Sequence, residues 1–133
     1  MTKPNTHPKI STRLCGEIVS LSDGEATTRF VTTEEMGTDE RGLVHGGFVF
    51  GLADHAAMLA VNDPFVVLGA AELRFTAPVK VGETVVASAR VQEAQGKKRQ
   101  VEVRARVGER EVLTGTLTAF VLAKHVLDGL AGG

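Results

Sequence analysis

The residues best suited to chemistry in this chain are a pair of glycines and one carboxylate. They lie in the run Leu43-Val44-His45-Gly46-Gly47-Phe48-Val49-Phe50-Gly51-Leu52-Ala53-Asp54-His55-Ala56-Ala57. His-Gly-Gly reads as the end of a loop, and the residues after it read as a helix that is apolar on nearly every face except at Asp54 and His55. A helix apolar all round must be buried, and a carboxylate within it is expensive without a partner or a task. The free N–H groups at a helix start, aided by the helix dipole, can hold a carbonyl oxygen as it gains charge. Glycine there lets a ligand come close to the backbone. Gly46, or its neighbour Gly47, is therefore the candidate oxyanion donor, although both could simply let the chain turn sharply into the helix. Asp54 is the candidate nucleophile or general base, with partial burial raising its pKa and its basicity. Its bland alternative is a satisfied polar residue bonded to a loop backbone or to His55.

Spacing constrains how these groups can cooperate. Asp54 lies eight residues beyond Gly46, roughly 12 Å along a helix, so one carbonyl cannot touch both groups within a single helix. If both act on one carbonyl, they come from two chains. His55 is turned about 100° from Asp54 and makes a poor catalytic partner for it. His45, Asp54 and His55 share no helix face and do not form a metal site. His45 could orient a ligand or hold the loop onto a neighbouring strand.

The elements that must position these residues are set by periodicity. Arg13 to Leu21 and Glu25 to Thr32 read as strands joined at Ser22-Asp23-Gly24, and Thr33 to Val44 as a loop. The helix is expected from Gly46 or Gly47 to Val61, ended by Asn62-Asp63-Pro64. Four further strands are expected at Val66–Ala77, Glu83–Ala94, Arg99–Val107 and Glu111–Ala123. Val101, Val103, Ala105 and Val107 alternate against Glu102, Arg104 and Arg106. This order predicts an α+β fold in one domain: an antiparallel sheet of five to six strands with one face on a long helix. Residues 1–9 read as a flexible arm, 10–123 as the core and 124–133 as a C-terminal tail.

Composition narrows the class of partner. The chain has 133 residues, 43% of them hydrophobic and 23% charged, with a formal net charge of −1. That balance gives no electrostatic ground for binding nucleic acid. No stretch is suitable for crossing a membrane, and the first nine residues lack the apolar core of a signal peptide. The single cysteine, Cys15, fits a reducing compartment and an inert thiol in a strand. A cytoplasmic protein is the expectation.

His-Gly-Gly opening the helix, Leu-Ala-Asp two turns later, and Phe75-Thr76-Ala77-Pro78-Val79-Lys80-Val81-Gly82-Glu83 between the later strands together resemble the hot-dog-fold thioesterases. The branch most similar is that of the PaaI-like acyl-CoA thioesterases, and the resemblance covers about residues 10–123. It implies an antiparallel sheet wrapped around a central helix, working as a homodimer or as a tetramer built as a dimer of dimers. It also implies hydrolysis of an acyl-CoA thioester, with no cofactor beyond the coenzyme A of the substrate and no metal. The thioester carbonyl would sit at Gly46, and Asp54 matches the family's helix acid. Two departures stand out. Asp39 occupies the position of an asparagine that helps place the nucleophile or water in that branch. A family hydroxyl after the helix falls near Leu68 or Gly69, where this chain has none. A basic turn, Lys97, Lys98 and Arg99, is the candidate contact for the phosphates of coenzyme A. Phe48, Leu52, Met58 and Leu68 are candidate acyl-pocket residues, and Glu72 and Arg74 an outward or interface pair. His45, Gly47 and Asp39 complete the substrate-binding set. The alternative in another class is a non-catalytic acyl-CoA-binding or sensing protein, since hot-dog domains serve as effector domains in some fatty-acid regulators. The 133 residues contain no helix-turn-helix pattern, so DNA binding by this domain itself is not expected. A dehydratase on the same fold lacks a placeable His–acid pair.

Overall fold

A computed structural model describes residues 2–130. Its elements are α1 (Thr12–Cys15), β1 (Glu17–Ser22), β2 (Glu25–Val31), α2 (Gly46–Val61), β3 (Val66–Phe75), β4 (Thr84–Gln95), β5 (Lys98–Val107) and β6 (Arg110–Val121). Short 3-10 turns lie at Glu34–Met36 and Val126–Gly129. The six strands form one antiparallel sheet in the order β1-β2-β4-β5-β6-β3, wrapped around α2. The α+β expectation therefore holds.

Period-two patterning builds the sheet's inner face. Val85, Ala87 and Ala89 of β4, Val101, Val103 and Ala105 of β5, and Leu113, Leu117 and Ala119 of β6 are all buried. Against them lie Leu52, Ala53, Ala56, Ala57, Leu59 and Ala60 of α2, none more than 2% exposed. Alanines on this helix let the strands come close, and removing so much apolar surface from water dominates the stability of the fold. Buried Thr28 of β2 donates its hydroxyl to the Leu52 carbonyl at 3.0 Å, pinning the helix to the sheet. Asn62 ends α2 in the left-handed conformation, with φ of 54°.

Three details depart from the sequence reading. The Arg13–Leu21 strand begins late, because Ser11 accepts a hydrogen bond from Leu14 N–H and starts the one-turn helix α1. Cys15 thus ends a helix rather than lying in a strand. Residues 2–8 are tied down rather than loose. Asn62 accepts from Asn5 N–H at 2.7 Å and donates to the Lys3 carbonyl at 2.9 Å, and Thr6 is buried. The third detail is at Gly69, where β3 shifts register against β6. The Phe120 ring occupies the space a side chain would need there. Residue 1 and tail residues 131–133 lie outside the described residues.

Candidate active site

The loop before α2 is stitched down on both sides. Val44 N–H donates to the Val79 carbonyl at 2.8 Å, and His45 N–H to the Met36 carbonyl at 2.9 Å. His45 is extended, with φ −64° and ψ 127°, and α2 begins at Gly46. The first N–H groups of a helix have no intrahelical acceptor. Phe48 N–H turns back to the His45 carbonyl at 3.1 Å, while Gly46 and Gly47 N–H have no acceptor among the described residues. The Phe75 ring lies over Gly46, close enough that a Cβ there would sit 3.3 Å from it. The His45 ring folds back toward Gly47 and meets Phe48 edge-on at 6.0 Å.

Two turns further on, Asp54 is half-buried. Its Oδ1 is enclosed and has no hydrogen-bond partner among the described residues. Burial pushes its pKa up from the ordinary 3.8 to about 6. The Cys15 thiol is pushed up in turn, by its own burial and by the charge of Asp54. His55 takes no part in this pair. It is 2% exposed, its Nδ1 is 3.2 Å from the Cys15 carbonyl, and its ring faces that of His7 at 6.2 Å. Burial holds both imidazoles below the usual histidine range.

The remaining candidates do not converge on one spot. Gly46 and Asp54 share α2, so their separation stays near 12 Å. Neither lines the surface cavities of about 300–580 Å³ formed by the described residues at 25–27/88–90, 39–43/78–83, 4–12/55–59, 70–72/92–93 and 12–17/29–31. The exposed Asp39 shapes its own loop. Its Oδ1 accepts from Arg41 N–H at 3.0 Å and Leu43 N–H at 3.2 Å. Leu68 is partly buried against the core. Leu52 and Met58 are wholly buried and form core rather than pocket, while Phe48 is only partly covered. Of the expected basic turn only Lys97 lies in the β4–β5 turn, where Val121 N–H donates to its carbonyl, while Lys98 and the half-buried Arg99 open β5. Val121 pairs with Val66, and Leu113 with Phe75. The basic turn therefore stands at the end of β3 opposite to Gly46. The Arg99 guanidinium is folded onto the Gly96 and Lys98 carbonyls. Glu72 and Arg74 are exposed on the outer face of β3.

Sequence reasoning missed the Phe75 cover. Its signal was an aromatic residue at the end of a strand, and the structure leaves it 55% exposed. It also missed the proximity of Cys15 to Asp54, which depends on α1.

Residues 41–114 match the model of a family described as the thioesterase superfamily. Over 118 residues the chain is 46% identical to a methylthioribose-1-phosphate isomerase of Aquifex aeolicus, covering 88% of this chain and 26% of that protein. It is 31% identical to the transcription factor FapR of a Thermoanaerobacter species, covering 87% of this chain and 58% of the regulator. The chain thus spans about a quarter and well under two thirds of these two relatives. Among solved structures, an uncharacterized protein from Pyrococcus horikoshii is 53% identical with a TM-score of 0.94, covering 96% of this chain and 98% of that one. An asparagine-to-aspartate variant of the phenylacetic acid degradation protein PaaI from Thermus thermophilus is 27% identical, with a TM-score of 0.75, over 82% and 95% of the two chains. A hypothetical thioesterase from Streptococcus pneumoniae, solved with coenzyme A, shares the fold at 20% identity, with a TM-score of 0.73 over 82% and 87%.

Proposed function

The chain belongs to the thioesterase superfamily, and on that footing we propose that it hydrolyses an acyl-CoA thioester in a site built across a dimer interface. The observation carrying this reading is the pairing of a helix start with unengaged N–H groups at Gly46 and an enclosed, unpartnered carboxylate at Asp54. In this proposal the thioester oxygen sits against Gly46 N–H, with Gly47 N–H as its neighbour, and gains charge there during attack. Asp54 of the partner chain attacks the carbonyl carbon or takes a proton from water. Direct attack by Asp54 breaks the C–S bond, releases coenzyme A thiolate and leaves an acyl-aspartyl anhydride that water hydrolyses. Attack by water breaks the same bond and gives the free acid at once, and the thiolate takes up a proton in either case. His45 borders the pocket, with Leu68 toward its acyl end.

The sheet supplies the reason for a dimer. Strand β3 is ten residues long and sits at an edge, with Gly69, Ala70, Ala71 and Glu72 exposed. An uncovered edge of that length invites pairing with another strand. A two-fold axis at the β3 edge that sets the two α2 helices antiparallel about Phe50 would make Gly46 face the partner's Asp54. A tetramer would add a second such contact. The single cysteine is free, which fits a cytoplasmic reaction. No helix among the described residues is long and apolar enough to cross a membrane.

A second reading has its own support. Several relatives are named as a transcription factor, and Asp39 replaces an asparagine while serving its own loop. An acyl-CoA-binding module that does not hydrolyse its ligand fits both facts. Thiol release from acetyl-, hexanoyl-, palmitoyl- and phenylacetyl-CoA separates the two. Turnover by the native chain and none by Asp54→Asn supports hydrolysis. Thermal stabilisation by acyl-CoA without thiol release supports the binding module.

A further inference from the structure

The loop that delivers Gly46 forms one wall of a second feature. A groove of about 510 Å³ runs between residues 39–43 and the turn 78–83, with Arg110 at its border. Its floor is apolar, from Leu43, Pro78 and Val79. Its walls are joined by backbone bonds, Val44 N–H to the Val79 carbonyl and Val81 N–H to the Gly42 carbonyl, both at 2.8 Å. Leu43 and Lys80 form an antiparallel bridge. A groove fixed this way loses little freedom when it is filled.

Charge decides what it suits. Both carboxylates at the groove are already engaged. Glu83 accepts from Arg110 at 2.8 and 2.9 Å and from Lys80 N–H at 2.7 Å. Asp39 Oδ1 is taken by two backbone N–H groups. The Arg41 guanidinium and the Lys80 ammonium, by contrast, form no ion pair with the described residues. Lys80 still acts on Glu83 through its charge, so the groove's three cations and two carboxylates leave one net positive charge over an apolar floor. That matches a ligand that carries phosphates next to a flat ring system. The groove lies two residues before His45, on the same stretch of chain that presents Gly46. The basic turn at Lys97–Arg99 lies at the other end of β3 in the same chain.

We propose that Arg41 and Lys80 hold the diphosphate and ribose phosphate of the coenzyme A whose thioester reaches Gly46 of the same chain. This rests on the acyl-CoA reading above and assigns its nucleotide end to residues other than the basic turn. The single phosphate of a protein-bound phosphopantetheine shares the chemistry but would engage only part of the groove.

The test is calorimetric titration of coenzyme A, adenosine 3′,5′-bisphosphate and 4′-phosphopantetheine into the native chain, Arg41→Ala/Lys80→Ala and Lys97→Ala/Lys98→Ala. All four positions are exposed, so folding should survive. The expected result is a Kd for coenzyme A raised about tenfold or more in the Arg41/Lys80 variant. The bisphosphate should lose affinity in parallel, and the Lys97/Lys98 variant should match the native chain. The proposal is overturned if the loss appears only in the Lys97/Lys98 variant. It is also overturned if phosphopantetheine binds as tightly as coenzyme A, or if the native chain binds neither coenzyme A nor the bisphosphate. Thiol release from acyl-CoA and from the matching N-acetylcysteamine thioester is measured alongside. Hydrolysis of both at similar KM would remove the groove and keep the thioesterase. Tight binding of coenzyme A through Arg41 and Lys80 with no hydrolysis would remove the thioesterase and keep the groove.

Discussion

At the scale of single residues, Asp54 is the informative one, because an aspartate with a pKa near 6 sits poised between two roles. Burial makes it a better base than a surface carboxylate, but it must be ionised to act. The rate kcat/KM should therefore rise with pH through about 6 and level off above it. A profile flat from pH 5 to 8 would remove Asp54 from the chemistry. The same shift has a stability consequence of opposite sense. The folded chain binds this proton more tightly than the unfolded one, so ionising Asp54 destabilises the fold. That cost is absent below the ordinary value of 3.8 and complete above about 6. Asp54→Asn should then be more stable to unfolding than the native chain at pH 8, by on the order of 2 kcal/mol. The advantage should vanish near pH 4, while turnover is lost at every pH. At Gly46 the donor can be deleted by proline, which also presses on the Phe75 ring, 3.3 Å from where a Cβ would sit. Proline is accepted at the first helical position, lacks the N–H, and prefers the extended conformation that His45 already has. Gly46→Pro should lower kcat by about 10²–10³, with a lowered melting temperature as the exposed Phe75 ring shifts to make room. Near-native turnover would move the donor to Gly47.

At the scale of elements, the sheet's edge strand is held by features that no periodicity reveals. Gly115 of β6 lies under β3, where a methyl group would overlap the Glu72 carbonyl. Gly115→Ala should therefore cost about 1–3 kcal/mol and loosen β3 first, read as faster amide exchange from Val66 to Phe75 than elsewhere in the sheet. Equal exchange along all strands would contradict this. The alternation in β5 and β6 made those strands legible, and Asn62-Asp63-Pro64 made the end of α2 legible, since each states a local physical rule. The turn of helix at Thr12–Cys15 was not legible, because Arg13 to Leu21 is compatible with a strand until Ser11 is seen to cap it. The site was half legible. His-Gly-Gly and Asp54 announce themselves by cost, a helix start without side chains and a charge among apolar residues. Phe75 over Gly46, Phe120 over Gly69 and Cys15 beside Asp54 are long-range contacts that exist only once the sheet has wrapped the helix.

At the scale of the whole molecule, one chain holds the parts of a site without assembling it. Gly46 and Asp54, the proposed oxyanion donor and catalytic carboxylate, sit about 12 Å apart on one helix, and β3 forms a long edge of the same sheet. Dimerisation through β3 would bring both together twice, once at each end of the paired helices. The most direct test mixes two inactive variants, Gly46→Pro and Asp54→Asn, under conditions that exchange subunits. If each site takes its glycine from one chain and its aspartate from the other, a mixed dimer keeps one intact site. An equimolar mixture should then recover roughly a quarter of native turnover. A mixture that exchanges subunits yet stays as inactive as either variant alone would contradict the shared site.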